Sequence, residues 1–315
     1  MCASRPCRFP ERPIFSKDRK RQSNNKPQPH FKSMSEVVID AQMVKTLREK
    51  TNAGLMDCKR ALAETQGDLE AAVDLLRKKG AASAAKKADR EAKEGVIAQA
   101  IVHNGKVGVL AEINCETDFV AKNDAFRSMA DSVAHKFAEN DAADVEADRV
   151  EAVQKLGENI QVRRHARLEV QGNGGVAAYI HTGGKVGVLV EVGAEKDSTT
   201  QTEEFKQLVR DITLQIAAAS PVCVSRASVP QALAEREREI YRGQVPPGKP
   251  ANIVEQIVEG KMSKFYSNAC LVDQAFIKNP DLTIAQLVAE KSKALGEQLE
   301  VRRFVRFAVG EELAQ

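Results

Sequence analysis

An α+β fold built on a duplicated strand–turn–strand–helix unit is what this 315-residue sequence predicts, on three observations. A segment recurs at an offset of 79 residues. Each copy has Val/Ile-rich strands flanking a Gly-Lys turn, and a helix with apolar residues at helical spacing follows each strand pair. Hydrophobic residues make up 43% of the chain, enough to build cores and to exclude wholesale disorder. No run approaches the roughly 18 apolar residues of a membrane span, so no membrane association is expected. Aromatics are only 4% and Trp is absent, so the cores must rest on Val, Leu, Ile and Ala.

Residues 1–35 are expected as a basic, disordered extension. Residues 1–33 carry nine basic and two acidic residues, which leaves 38 basic and 42 acidic for the rest; the net +3 therefore covers an acidic body. Pro, Arg, Lys, Asn and Gln dominate the extension, with no apolar h-region for a secretory signal and too little Ala and Leu for a mitochondrial presequence. A translation start at Met34 is the preferred account of it.

A three-helix module is predicted over 36–80. Val44 and Leu47 mark a first helix ended by Thr51-Asn52-Ala53-Gly54, and a second runs from about Met56 to Gln66-Gly67. Asp68 caps a third, with Leu69, Val73 and Leu76 on one face and Gly80 as its stop. Residues 81–94, rich in Ala and Lys without an apolar face, read as a solvated helical linker.

Core subdomain 1 spans 95–173 and core subdomain 2 spans 174–315. Gly95 through Ile101 matches Gly174 through Ile180, and Gly105-Lys106-Val107-Gly108-Val109-Leu110 recurs as Gly184-Lys185-Val186-Gly187-Val188-Leu189. Glu112, Glu116, Asp118 and Phe126 pair with Glu191, Glu195, Asp197 and Phe205. Phe126, Met129, Ala130, Val133 and Phe137 mark one helix; Phe205, Leu208, Val209, Ile212 and Ile216 mark its counterpart. Within subdomain 2, residues 226–268 read as a helical hairpin turned at Pro246-Pro247-Gly248-Lys249-Pro250, of the kind that projects as an antiparallel coiled coil. Leu299 to Val309 closes the chain as a strand.

Nothing in the sequence points to bond-making chemistry. No GxxxxGKS, GxGxxG or HExxH occurs, and the six cysteines (Cys2, Cys7, Cys58, Cys115, Cys223, Cys270) form no CxxC pair. Reduced thiols, a cytoplasmic location, no metal, no cofactor and no enzymatic activity are the expectations. Gly172-Asn173-Gly174-Gly175 precedes a strand and reads as a turn. Glu112 and Glu116 recur in the second copy, so they are expected to serve the fold or its surface.

The two copies differ after Asp118. Phe119-Val120-Ala121-Lys122-Asn123 in the first stands against Ser198-Thr199-Thr200-Gln201-Thr202 in the second. Two readings stay open on the residues alone: Phe119 packs beneath its own helix, or it is an exposed loop-tip ring shaped for a partner's pocket. Leu55 and Met56 present the same choice between core and binding surface. His181, at a strand end, is a surface histidine on the residues alone.

Longer motifs add a resemblance. Val44-Lys45-Thr46-Leu47-Arg48-Glu49-Lys50-Thr51-Asn52-Ala53-Gly54-Leu55-Met56-Asp57-Cys58-Lys59 and Cys115-Glu116-Thr117-Asp118-Phe119-Val120-Ala121-Lys122-Asn123 resemble the signatures of the bacterial translation elongation factor Ts family. Gly157-Glu158-Asn159-Ile160-Gln161-Val162-Arg163-Arg164 and Val258-Glu259-Gly260-Lys261-Met262-Ser263-Lys264-Phe265 extend the likeness, which covers about 36–312. Asn52, Leu55 and Asn123 depart from the usual residues; Asp118 and Phe119 do not.

The resemblance implies a guanine-nucleotide exchange factor for the GTPase elongation factor Tu. It implies an amino-terminal module resembling ubiquitin-associated domains, a duplicated core and a protruding coiled coil. Asp118 and Phe119, flanked by Thr117 and Val120, would enter near the partner's Mg²⁺ and phosphate loop and displace its GDP and Mg²⁺ indirectly. Leu156, Gly157 and His181 match supporting core positions, and Arg48, Leu55 and Met56 match positions facing the partner's nucleotide-binding domain. No direct nucleic-acid contact is implied. The competing expectation is a ribosome- or RNA-associated protein acting through the basic extension.

Overall fold

Helix formation begins where the apolar period begins. The computed structural model describes residues 39–51 and 53–312; the expected extension, Met34 and Asn52 lie outside the described residues. Helices α1 (Ala41–Thr51), α2 (Leu55–Glu64) and α3 (Leu69–Lys87) pack through Val44, Leu47, Cys58, Ala61, Leu62, Ala72 and Leu76. Asp68 caps α3 as expected, its carboxylate accepting from the Glu70 and Ala71 N–H groups at 2.9 and 3.0 Å.

One expectation fails here. Gly80 does not stop α3, which continues to Lys87. Gly80 is buried, and a Cβ there would collide with the Gln154 side chain, which donates to the Leu76 carbonyl at 3.4 Å. The glycine makes room for a neighbouring helix. Nor is the Ala/Lys stretch without a buried side, since Ala84 is part of the first subdomain's core.

In both copies of the core the predicted order of strand, turn, strand and helix holds, and a further helix and a third strand complete each; of these additions the sequence predicted only the closing strand. Strands β1 (Glu94–Val102) and β2 (Val107–Cys115) pair antiparallel, and the chain then forms α4 (Asp118–Ala121), α5 (Asp124–Glu139), α6 (Glu146–Leu156) and β3 (Gln161–Glu169). Strand β3 joins β2, giving the order β1-β2-β3. The second copy begins with β4 (Gly174–Ile180) and β5 (Val186–Gly193), passes through a 3-10 turn at Asp197–Gln201 and enters α7 (Glu203–Ala219).

The hairpin that follows consists of α8 (Gln231–Gly243) and α9 (Ala251–Ala269), which touch along their lengths. Arg238–Glu259 at 3.3 Å and Arg242–Glu255 at 2.8 Å show the antiparallel sense. A ribbon of β6 (Ala275–Phe276) and β7 (Asn279–Thr283) and a helix α10 (Ile284–Leu295) come next, none of them expected from the sequence. Strand β8 (Glu300–Ala308) closes the second sheet in the order β4-β5-β8.

Each sheet has two covered faces. Helices α5 and α6 cover one face of the first sheet around Phe126, Val133, Phe137 and Ile160; α7 and α10 cover one face of the second around Phe205, Leu208, Ile212 and Ile284. The remaining faces meet through Ile97, Leu110, Leu168, Val176, Leu189 and Phe307. This is why every residue of β2 is buried. It also explains Gly108 in β2, where a Cβ would stand 2.6 Å from Val176 and 2.7 Å from Leu189.

Candidate functional site

Strand β2 ends at Cys115, and the chain turns outward through Glu116 and Thr117 into the single turn α4. Thr117 caps that turn, its Oγ1 accepting from the Val120 N–H at 3.4 Å. Within one helical turn adjacent residues face different ways, and here the division is sharp. Ala121 is buried and Val120 packs against the first core, whereas Phe119 is 82% exposed. The reading in which Phe119 lies beneath its own helix is therefore set aside.

Asp118 is half-exposed and accepts from the Lys122 ammonium at 2.7 Å, one helical turn on. That hydrogen bond holds its carboxyl below the usual carboxylate range. Cys115, directly behind the turn, is buried, and burial pushes its thiol up to about 12. It is a protonated packing residue rather than a nucleophile.

The turn is gripped from behind by the segment after α6. Gly157 ends α6 with φ 80°, a left-handed conformation suited to glycine, and its N–H bonds the Val153 carbonyl at 3.0 Å. Leu156 is half-buried against the first core. The Glu158 carboxylate then accepts from the Glu116 and Thr117 N–H groups, both at 3.0 Å, and from the Thr117 hydroxyl at 2.5 Å. Thr117, Asp118, Phe119, Val120, Leu156 and Gly157 thus form one assembly.

His181 stands apart from it, exposed on the β4–β5 turn. Its Nδ1 lies 3.1 Å from the Tyr179 hydroxyl. It borders a groove of about 370 Å³ that also takes in Val96, Gln99, Arg127 and Asp131, so it belongs to the surface where the second copy meets α5. Arg48, Leu55 and Met56 lie on the three-helix unit. Leu55 and Met56 are 57% and 63% exposed at the start of α2, so the reading of this pair as core does not hold. Arg48 is exposed in the last turn of α1.

Glu158 is the residue that sequence reasoning passed over. Its motif was recognised without a role for the glutamate. A signal exists: Gly157-Glu158 recurs as Gly296-Glu297 at an offset of 139, and Arg163-Arg164 recurs as Arg302-Arg303 at the same offset. The recurring Glu112 and Glu191 do serve the fold, each buried against that arginine pair. Among the described residues no group of three His, Cys, Asp or Glu side chains is placed to hold a metal ion. What the site offers is an apolar ring beside a carboxylate, on a short turn with a fixed base. That is equipment for binding.

A family model described as elongation factor TS matches residues 116–311. Among curated relatives, the elongation factor Ts of Nitratidesulfovibrio vulgaris (strain DP4) is 44% identical over 281 residues, covering 88% of this chain and 98% of the relative. That of Clostridium novyi (strain NT) is 44% identical over 293 residues, covering 88% and 94%. The Trichlorobacter lovleyi protein of the same name is 42% identical over 294 residues, with the same two shares.

Proposed function

The chain belongs to the bacterial translation elongation factor Ts family, and from that premise we propose that it binds elongation factor Tu carrying GDP and promotes GDP release, so that GTP can rebind. The observation that carries this reading is Phe119, a large ring left in solvent on an anchored turn. An exposed aromatic at a loop tip has the character of an interface anchor, worth roughly 2 kcal/mol or more once packed in a partner's pocket.

The exchange needs no bond made or broken, so the protein acts as a binding partner and not as an enzyme. GDP in a GTPase is held by a phosphate cradle and Mg²⁺, the largest local charge in the site. Phe119 enters as a wedge, and Asp118 shifts the loop beside the ion. Leu156, Gly157 and Val120 brace the wedge from its own side, and His181 adds a second contact on the neighbouring surface. Coupling of this kind is reciprocal: the factor loosens the nucleotide, and returning nucleotide loosens the factor by the same free energy. Arg48, Leu55 and Met56 supply a separate hold on the partner's nucleotide-binding domain.

On this reading residues 36–80 form a module like ubiquitin-associated domains, 81–94 link it to core subdomains 95–173 and 174–315, and the α8–α9 hairpin acts as a projecting coiled coil. No helix among the described residues is long and apolar enough to cross a membrane.

The test is stopped-flow release of fluorescent GDP from elongation factor Tu with wild-type protein and Phe119→Ala. Slower release at saturating Phe119→Ala, with the complex still formed, supports the wedge; release at wild-type speed sinks it. Repeating the assay without residues 1–33 addresses the competing RNA-binding reading, which the basic charge of that segment favours. Exchange that is independent of the segment supports the proposal. Absence of stimulation by the wild-type chain, with RNA binding that requires the segment, favours the alternative.

A further inference from the structure

We propose that Glu158 is a positioning residue for the exchange wedge, presetting the turn that presents Phe119; this rests on the exchange reading above. A four-residue helix cannot hold its own geometry, because nucleating one turn costs more than a single hydrogen bond returns. Phe119, with most of its ring in solvent, contributes no packing of its own. Val120 and Ala121 seat α4 on the first core, and the segment entering α4 fixes the end of the turn from which the ring projects.

Both N–H groups of that segment and the Thr117 hydroxyl converge on one carboxylate. Glu158 Oε2 accepts both the Glu116 and the Thr117 N–H at 3.0 Å, and Oε1 accepts the Thr117 hydroxyl at 2.5 Å. The same hydroxyl oxygen accepts the Val120 N–H, so the carboxylate is linked through one side chain to the interior of α4. The grip is returned: Glu116 Oε1 accepts the Asn159 N–H at 2.6 Å, and Asn159 Nδ2 donates to the Arg90 carbonyl at 2.7 Å. Charge-assisted bonds of this kind are the strong class, and a wedge ordered before binding loses less entropy when it docks.

The second copy contains its own control. Gly296 ends α10 at φ 66°, as Gly157 ends α6. Glu297 then accepts from the Thr199 hydroxyl at 2.6 Å and from the Lys196 ammonium at 3.0 Å. The segment it holds carries Ser198 where the first copy has Phe119. The same device thus secures two loops, of which one presents a ring.

The experiment compares the maximal GDP-release rate from elongation factor Tu, at saturating full-length factor, for wild type, Glu158→Ala, Glu158→Gln and Glu297→Ala, with the melting temperature of each. Glu158→Ala is expected to lower the maximal rate roughly tenfold, the scale set by loss of hydrogen bonds to a charged group. Glu158→Gln keeps an acceptor for the two N–H groups and is expected to recover most of the rate. Glu297→Ala is expected to melt earlier yet exchange at the wild-type rate. A wild-type maximal rate for Glu158→Ala, or an equal loss in Glu297→Ala, overturns the proposal. Should Glu158→Ala fail to fold, Thr117→Val removes the hydroxyl, and with it both the bond to Glu158 and the cap on the Val120 N–H, and a wild-type rate for that variant overturns the proposal equally. Failure of the wild-type protein to release GDP would overturn the exchange reading itself, an outcome distinct from these.

Discussion

Phe119 and Phe126 are seven residues apart and have opposite energetics. Phe126 is fully buried at the start of α5, against the face of the first sheet, whereas Phe119 stands in solvent on the short helix α4 before it. Removing a buried ring costs its transfer free energy and leaves a cavity, so Phe126→Ala is expected to lose about 3–5 kcal/mol. Phe119→Ala removes almost nothing from the folded state and should change stability by less than about 0.5 kcal/mol. Chemical denaturation of the two variants checks both values. A loss above about 1 kcal/mol for Phe119→Ala would mean that the ring packs in solution, and the wedge assignment would lose its basis. Leu55 and Met56 belong with Phe119 by the same measure, since both leave most of their surface in water.

At the scale of the element, helix ends decide where the site lies. Gly157 terminates α6 in a left-handed conformation and so directs Glu158 towards the wedge turn. A Cβ at Gly157 would meet no atom within 4 Å, so a substitution there is penalised by backbone conformation alone. Gly157→Ala is expected to cost about 1–2 kcal/mol, measured by thermal melting; an unchanged melting temperature would mean that the chain leaves α6 by another route. Local signals of this kind were partly legible in the sequence. The Asp68 cap, the paired strands around Gly-Lys turns and the amphipathic faces of α5 and α7 follow from short-range chemistry and periodicity. Gly80 was misread because a stop and a packing gap look alike until Gln154 is in place. Helices α6 and α10 and strand β3 went unread because the repeat was seen only at an offset of 79, whereas α6 matches α10 and β3 matches β8. Their kinship shows at 139, where Gly-Glu and Arg-Arg pairs recur. Phe119 was legible as a difference between copies, and only its exposure separated a surface ring from a core one.

Across the whole molecule, the same duplication staples the two sheets together. Glu112 on β2 is buried between Arg163 Nη1 at 2.9 Å and Arg164 Nε at 2.7 Å, both on β3, and accepts the Gly310 N–H just after β8 at 2.8 Å. Glu191 on β5 repeats the pattern with Arg302 and Arg303 on β8, and accepts the Gln171 N–H just after β3 at 2.9 Å. Each carboxylate therefore ties its own sheet to the end of the other sheet's last strand. Burial by itself pushes both carboxyls up, yet the backbone N–H groups and guanidinium partners outweigh it, and both lie below the ordinary glutamate value. A folded-state pKa depressed in this way contributes stability that is fully present above the unfolded value of about 4.3. That stability is lost as pH falls through the lower, folded pKa. The melting temperature should accordingly hold down to about pH 5 and fall steeply below about pH 4. Neutralising one glutamate removes the buried charge that two half-buried guanidinium groups share, so Glu112→Gln and Glu191→Gln should each lose about 1–3 kcal/mol at pH 7. In the double variant the titrating groups are gone, and the acid slope between about pH 5 and pH 3 should flatten although the protein is weaker throughout. Melting curves across that range decide the matter. A double variant that keeps the wild-type acid slope would place the acid sensitivity elsewhere, and the two glutamates would then be packing residues rather than the electrostatic link between the repeats.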